Sequence, residues 1–316
     1  MLLTSFVVLL PVLFVMALGY WAGRRKQFDA DQLQGLNSVV LDYALPALMF
    51  SGIARTSRSE MLAEVPFLIV ISLSFLGLFL LVLLFSLYVG HNSLGAAALQ
   101  ANLVSFPSTA FLGAPIFHDL FGQSGLVSII FSTVLALVTI GPLTIILLEI
   151  HVQRAAHDQS ARVTELIRKG LATSCKKPLV WAPLSGAILS LLNVPTPTEV
   201  DKMLGLIGSA TGGLALFLAG LIIANYEVKL SGEVIANVLM KMVGQPLLVA
   251  FLVSAVAVRQ PMGNEAILIC AIPTAVLGPL LAPRYQVYEA ESASTLVLTT
   301  LAMIVTLPLA IFLVGA

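Results

Sequence analysis

Long apolar runs alternate with short polar clusters along this chain. They divide it into ten segments, roughly 3–22, 33–54, 66–90, 94–118, 124–150, 178–194, 203–224, 234–258, 264–283 and 292–315. A helix needs about 20 apolar residues to cross a bilayer, and most of these runs are near that length. The pattern predicts an all-α integral membrane protein with ten transmembrane helices. The first run lacks the positively charged lead of a signal peptide. Met1 to Ser5 carry no side-chain charge, whereas Arg24, Arg25 and Lys26 follow the run. It is therefore expected to be a retained helix.

The longest polar stretch, 151–177, carries His151, Arg154, Asp158, Arg162, Glu165, Arg168 and Lys169. It separates a first five-helix repeat (1–150) from a second (178–316). It is expected to be a solvated cytoplasmic linker, a regulatory site being the alternative. The halves echo one another at a nearly constant offset. ALMFSGIA at 47–54 resembles ALFLAGLI at 215–222, Val138-Thr139 matches Val305-Thr306, Pro107 matches Pro273, and Pro142 matches Pro308. Five spans per half is an odd number, so the second half must enter the membrane from the opposite side. Such an inverted repeat is a frequent transporter architecture.

Charge gives orientation. Loops after odd-numbered segments carry Arg24, Arg25, Lys26, Arg154, Arg162, Arg168, Lys169, Lys176, Lys177, Lys229 and Arg284. Loops after even-numbered ones carry only Arg55, Arg58, Lys202 and Arg259. The excess places odd loops in the cytoplasm of a bacterial inner membrane and both termini outside. Composition agrees with a membrane protein. Of 316 residues, 59% are hydrophobic and 10% charged, against roughly 25% charged in soluble domains; mean hydropathy is +1.01. Sixteen basic residues balance sixteen acidic ones. A soluble enzyme, a disordered chain and a nucleic-acid partner are excluded on this basis. Cys175 and Cys270 form no disulfide framework, and His91, His118, His151 and His157 have no metal-ligand spacing.

The fourth and ninth segments are equivalent in the repeat, and both are interrupted by proline and glycine. One reads Ser105-Phe106-Pro107-Ser108-Thr109 through Gly113-Ala114-Pro115; the other reads Pro273-Thr274 through Gly278-Pro279. Proline removes an N–H and clashes with the preceding turn. Unwound backbone at membrane depth survives only where protein or water covers it. Freed N–H groups and half-helix N-termini then make a carboxylate site; simple proline kinks are the alternative. Asn102 precedes the first break. Ser132, Thr133, Thr299 and Thr300 on the fifth and tenth segments are candidate cavity residues, or bond neighbouring carbonyls. Asp42, in an apolar run, is a candidate proton-coupling carboxylate or an interfacial residue. Lys241 is a candidate partner of Asp42 or of a substrate carboxylate, or snorkels to the interface. Gly208-Ser209-Ala210-Thr211-Gly212 is a small-residue packing pattern, serving a dimer face or the chain itself. No nucleophile, metal or phosphate-loop motif is present, so no catalytic residue, cofactor or metal is expected.

These residues together resemble the auxin efflux carrier family, which includes plant auxin carriers and bacterial organic-acid carriers. The resemblance spans essentially the whole chain. It rests on Ala44-Leu45-Pro46-Ala47-Leu48, Pro107-Ser108-Thr109 with Leu112-Gly113-Ala114-Pro115, Lys241 with Gln245-Pro246, Pro273 with Ala282-Pro283-Arg284-Tyr285, and Thr306-Leu307-Pro308-Leu309. Asp42-Tyr43-Ala44-Leu45-Pro46 and Lys176 through Pro183 look closest to the bacterial malonate-carrier branch. The resemblance implies that the fourth and ninth helices cross at their breaks. It implies a scaffold of helices 1, 2, 6 and 7, a transport unit of helices 3–5 and 8–10, and a homodimer through helices 2 and 7. It implies a secondary transporter of small organic-acid anions, a malonate-like dicarboxylate being favoured, with H+ or Na+ as possible coupling ion. An aromatic or other monocarboxylate, or a passive anion channel on the same scaffold, are the alternatives. One departure stands out. Plant carriers have Asn after the first proline, where this chain has Ser108, and Ala275, Val276 and Leu277 follow Pro273 where bacterial members commonly have Asn. Backbone N–H groups and Ser/Thr hydroxyls remain as the expected carboxylate donors.

Overall fold

The computed structural model describes residues 2–155, 168, 172 and 175–315. Most of the 151–177 stretch, including His157, Asp158, Arg162, Glu165 and Lys169, lies outside the described residues. Among the described residues, the regular structure is helical throughout: α1 (Leu2–Arg24), α2 (Ala30–Ser38), α3 (Leu45–Ala54), α4 (Arg58–Ala63), α5 (Val65–Tyr88), α6 (Leu94–Ser105), α7 (Ala114–Val138), α8 (Ile140–Ala155), α9 (Pro178–Leu191), α10 (Thr198–Gly208), α11 (Thr211–Ala224), α12 (Gly232–Leu239), α13 (Gln245–Val256), α14 (Met262–Cys270), α15 (Leu277–Tyr285) and α16 (Glu289–Val314). Six continuous or jointed helical stretches among them are long and apolar enough to cross a membrane: Ala30–Ala54, Val65–Tyr88, Ser124–Arg154, Thr198–Ala224, Gly232–Val256 and Glu289–Val314. Their outer faces present Leu81, Leu84, Phe85, Leu247, Phe251 and Leu313. A hydrocarbon surface suits such a surface and water does not. The chain is an integral membrane protein.

Helix starts follow ordinary capping chemistry. Asp29 and Gln32 bond reciprocally across the start of α2, and Ser57 and Glu60 do the same for α4. Ser93 and Ser231 cap α6 and α12. Prolines leave a second local signature. Wide turns at Val39–Ala44, Thr109–Gly113 and Met240–Gly244 join α2 to α3, lead into α7 and join α12 to α13. Each ends in an i→i−5 bond: Leu45 N–H to Val40 O, Ala114 N–H to Thr109 O, and Gln245 N–H to Met240 O. Each is followed by a proline in the first turn of the next helix: Pro46, Pro115 and Pro246. The proline ring would clash with the carbonyl four residues back. Widening the preceding turn moves that carbonyl aside, so the axis continues instead of breaking. Pro115 therefore belongs to a resumed helix, not to the unwound stretch that the sequence pattern suggested.

Glycines set the closest helix contacts. A Cβ at Gly19 would lie 2.0 Å from Phe217 O, and one at Gly220 would lie 2.1 Å from Met16 O. Backbone of α1 thus rests directly on backbone of α11. Gly186 on α9 fits against Phe50 O of α3 in the same way, at 2.9 Å. Gly208 is buried against Leu48 of α3, its Cβ position 3.3 Å from Leu48 Cα. That glycine packs within the chain. Two boundaries also differ from expectation. The run 203–224 begins at Thr198 and is interrupted at Ser209-Ala210, and 124–150 is jointed at Thr139.

Candidate functional site

Two helices stop inside the protein. α6 ends at Ser105, where Phe106 turns to extended backbone (φ −104°, ψ 100°). α14 ends at Cys270, and α15 starts only at Leu277. The two gaps lie against each other as a short antiparallel bridge between Pro107 and Thr274. Ser108 N–H donates to Pro273 O at 2.8 Å, and Ala275 N–H donates to Phe106 O at 2.8 Å. Each break thus satisfies the backbone the other exposes, which is what buried irregular backbone requires. This corrects one expectation: the N–H groups of Ser108 and Ala275 are engaged by the opposite break and are not free for a ligand. Thr109 N–H is also taken, by Pro107 O at 2.8 Å.

Side chains next to the bridge are less satisfied. Ser132 Oγ, Thr274 Oγ1 and Asn102 Oδ1 are buried and have no hydrogen-bond partner. Native interiors rarely leave such atoms alone, so each is open to a polar partner, although none of the three residues is on the wall of the cavity described below. Most of the other predicted hydroxyls are occupied, while Ser108 lines the cavity described below. Thr133 Oγ1 lies 2.7 Å from Thr109 Oγ1, Thr299 donates to Thr295 O at 2.7 Å while lying 3.4 Å from Thr274 N, and Thr300 and Ser105 bond carbonyls on their own helices. Asn102 Nδ2 donates to Thr144 Oγ1 at 3.1 Å. The glycines keep the backbones close: a Cβ at Gly278 would meet Asn102 Oδ1 at 3.0 Å, and one at Gly113 would meet Ile129 Cδ1 at 2.6 Å.

A cavity of about 220 Å³ opens beside the bridge. Pro107, Ser108, Thr109 and Ala110 line it from the first break, and Ala275, Val276 and Leu277 from the second. Leu41, Phe111, Leu137, Leu179 and Ile222 make an apolar wall, while Asp42, Asn37 and Lys177 supply polar groups. The first turns of the wide turn at Thr109 and of α15 therefore border the cavity, and initial N–H groups of a helix have no intrahelical partner.

The two charged candidates separate. Asp42 is exposed at the cavity lining, not buried in the apolar interior, because the wide turn before Pro46 carries it. Lys241 is fully buried, so it neither snorkels nor meets Asp42. Its Nζ donates to Gln245 Oε1 at 2.5 Å and to Cys270 O at 3.0 Å. Gln245 Nε2 in turn donates to Ser105 O at 3.1 Å. The carbonyls at the C-terminal ends of α6 and α14, the negative poles of two truncated helices, are thus joined through one ammonium and one amide. The sequence offered the i, i+4 spacing of Lys241 and Gln245, but nothing local said that both would point to the breaks. A second buried amide pair was also missed: Gln100 Nε2 donates to Asn237 Oδ1 at 2.8 Å, and Asn237 Nδ2 to Tyr288 Oη at 3.2 Å. Among the described residues, no group of three His, Cys, Asp or Glu side chains is placed to hold a metal ion.

Comparison with known proteins agrees along the full length. A family profile described as membrane transport protein matches residues 4–311. An Escherichia coli (strain K12) protein named "Uncharacterized transporter YfdV" is 31% identical over 307 residues, covering 96% of each chain. A Rhizobium meliloti protein named "Putative malonate transporter" is 22% identical over 311 residues, covering 96% of this chain and 94% of its own. A Methanothermobacter thermautotrophicus "Uncharacterized transporter" is 24% identical over 311 residues.

Proposed function

Because the chain belongs to the auxin efflux carrier family of membrane transport proteins, we propose that it is a secondary carrier of a small organic-acid anion, bound where the two helix breaks meet. The observation that carries this is the trio of unpartnered polar atoms, Ser132 Oγ, Thr274 Oγ1 and Asn102 Oδ1, beside paired breaks that border a cavity. The hydroxyls of Ser132 and Thr274 supply donors. Initial N–H groups of the resumed helices supply the rest.

A malonate-like dicarboxylate is the favoured cargo. The name of the Rhizobium relative supports it. A second carboxylate needs a second positive locus, and Lys177 at the cavity lining fits that role. Lys241 does not, since its ammonium is already committed to Gln245 and Cys270. A second reading, an aromatic or other monocarboxylate, is favoured by the apolar wall of Leu41, Phe111, Leu137, Leu179 and Ile222.

The carrier works by alternating access across ten spans arranged as a 5+5 inverted repeat, with both termini outside a bacterial inner membrane. Helices 1, 2, 6 and 7 form the scaffold, with a homodimer face on helices 2 and 7; helices 3–5 and 8–10 move as a unit around the crossing breaks. The Lys241–Gln245 clamp holds those breaks together as the unit moves. The test is radiolabelled malonate uptake into proteoliposomes, with competition by a panel of unlabelled acids. Saturable uptake with counterflow, lost in Thr274→Val and Gly113→Leu but not through misfolding, supports the reading. Non-saturable flux without counterflow supports a channel instead. Competition by aromatic acids but not by malonate moves the cargo to the second reading.

A further inference from the structure

Two acidic side chains outside the cavity are buried without a cation. Glu265 on α14 is fully buried. Its Oε1 accepts from Ser124 Oγ at 2.5 Å, and its Oε2 accepts a short bond from Ser128 Oγ, both serines on α7. No Lys, Arg or His ion-pairs with it among the described residues. Glu64, immediately before α5, is 4% exposed, and its Oε2 is buried with no partner. An ionised carboxylate in such a place costs several kcal/mol unless a positive charge neutralises it. Burial, then the charge of Glu265, push the Glu64 carboxyl up to about 7. The helices packed against α14 offer no relief. α13 carries no titratable group, and Tyr88 of α5 is exposed. On α7, exposed Asp119 pairs with His118. Glu289 and Glu291 begin α16, whose other end meets α14 through Asn264 Nδ2 and Val314 O.

We propose that Glu64 and Glu265, with Ser124 and Ser128, form a proton-binding site that couples transport to proton movement. This rests on the carrier reading above. A proton on Glu64 removes the repulsion that the charge of Glu265 exerts on it. The pair is mechanically close to the crossover. α14 runs from Glu265 to Cys270, whose carbonyl accepts from Lys241, a rise of about 7.5 Å at 1.5 Å per residue. α7 runs one turn from Ser128 to Ser132, whose hydroxyl is unpartnered. A change in charge at the pair is therefore felt on two helices that meet the candidate anion site. A metal cation is the less suited occupant of this carrier. Converging carbonyls at half-helix C-termini are where coupling metal ions are held, and here the Lys241 ammonium fills that place.

The test needs no knowledge of the cargo for its first part. Infrared difference spectra of the purified protein, titrated between about pH 5 and 8, should show a protonated-carboxyl band lost with a midpoint near 7. Glu64→Gln should remove that titration. If Glu64→Gln does not fold, Glu265→Gln should shift the midpoint downward, because it removes the neighbouring charge that holds the proton on Glu64. In proteoliposomes, Glu64→Gln should keep malonate counterflow and lose at least tenfold of the acceleration by an imposed pH gradient. An unchanged band in Glu64→Gln, or pH-gradient acceleration equal to wild type, overturns the proposal. So does stabilisation by sodium but not potassium chloride at fixed pH, which assigns the pair to a metal ion. Absence of counterflow in wild type with every acid tried strikes the carrier reading, while the infrared titration still decides the proton site.

Discussion

Replacing Lys241 by Met keeps the apolar stem of the side chain and removes its ammonium. The ammonium makes two hydrogen bonds, to Gln245 Oε1 at 2.5 Å and Cys270 O at 3.0 Å. Bonds from a charged donor are worth roughly 1.5–3 kcal/mol each, so the gross loss is about 3–6 kcal/mol. Part of it is offset, because the variant no longer buries a charge, and desolvating an ion costs several kcal/mol. What remains is the cost of two buried acceptors left without donors, about 2–6 kcal/mol in all. The assay is thermal unfolding in detergent, followed by a double-mutant cycle with Gln245→Met. The two residues serve one clamp, so the double variant should cost clearly less than the sum of the singles, with coupling above about 1 kcal/mol. Counterflow should fall in step, because Ser105 O and Cys270 O are no longer tied. Unchanged unfolding in Lys241→Met, or strict additivity with Gln245→Met, would refute the clamp. Lys241→Arg should recover little, since the longer planar fork does not fit a site shaped for a single ammonium.

Other consequences follow from the same geometry. Gly220→Ala places a Cβ 2.1 Å from Met16 O, and overpacking of this kind costs roughly 1–3 kcal/mol; lowered thermal stability of the purified variant checks it. Gly278→Val drives against Asn102 Oδ1 and Leu103, 3.0 and 3.1 Å from the Cβ position, so transport should drop more than stability does, measured as counterflow per folded protein. Asp42→Asn should leave stability within about 0.5 kcal/mol, as an exposed side chain does, whatever its effect on transport. Stability should also fall as pH rises from about 4.5 to about 7 and level off above. The native Glu64 carboxyl keeps its proton through that window while the unfolded chain has already released it; Glu64→Gln should flatten the dependence.

The sequence displayed what is local. Apolar runs marked the helical stretches, and proline with glycine at 107–115 and 273–279 marked both breaks. It misplaced what depends on partners. Prolines looked alike in the chain, yet Pro46, Pro115 and Pro246 each follow a widened turn and continue a helix, whereas Pro107 and Pro273 sit in gaps. The difference is tertiary. Only the facing break supplies the acceptor that lets Ser108 and Ala275 leave the helix. Lys241 was visible as a charge in an apolar run with Gln245 four residues on, but its direction is also set by the carbonyl of Cys270, which no local motif announces. Asp42 is the opposite case: it is exposed at the cavity lining, because an apolar neighbourhood in sequence does not determine which face of a widened turn is buried. Glu64 and Glu265 flank apolar runs as ordinary helix-end acids would, and only the packing of α14 against α5 and α7 buries them.

The claim on which the rest depends is that the anion binds where the two breaks meet. Equilibrium binding of a radiolabelled acid that wild type recognises, malonate first, compares purified wild type with Thr274→Val and Ser132→Ala. Both variants change one unpartnered hydroxyl and should fold as wild type does, as judged by thermal unfolding. The account predicts affinity at least tenfold weaker in each, a loss of about 1.4 kcal/mol. Wild-type affinity in both variants would contradict it and move the site elsewhere.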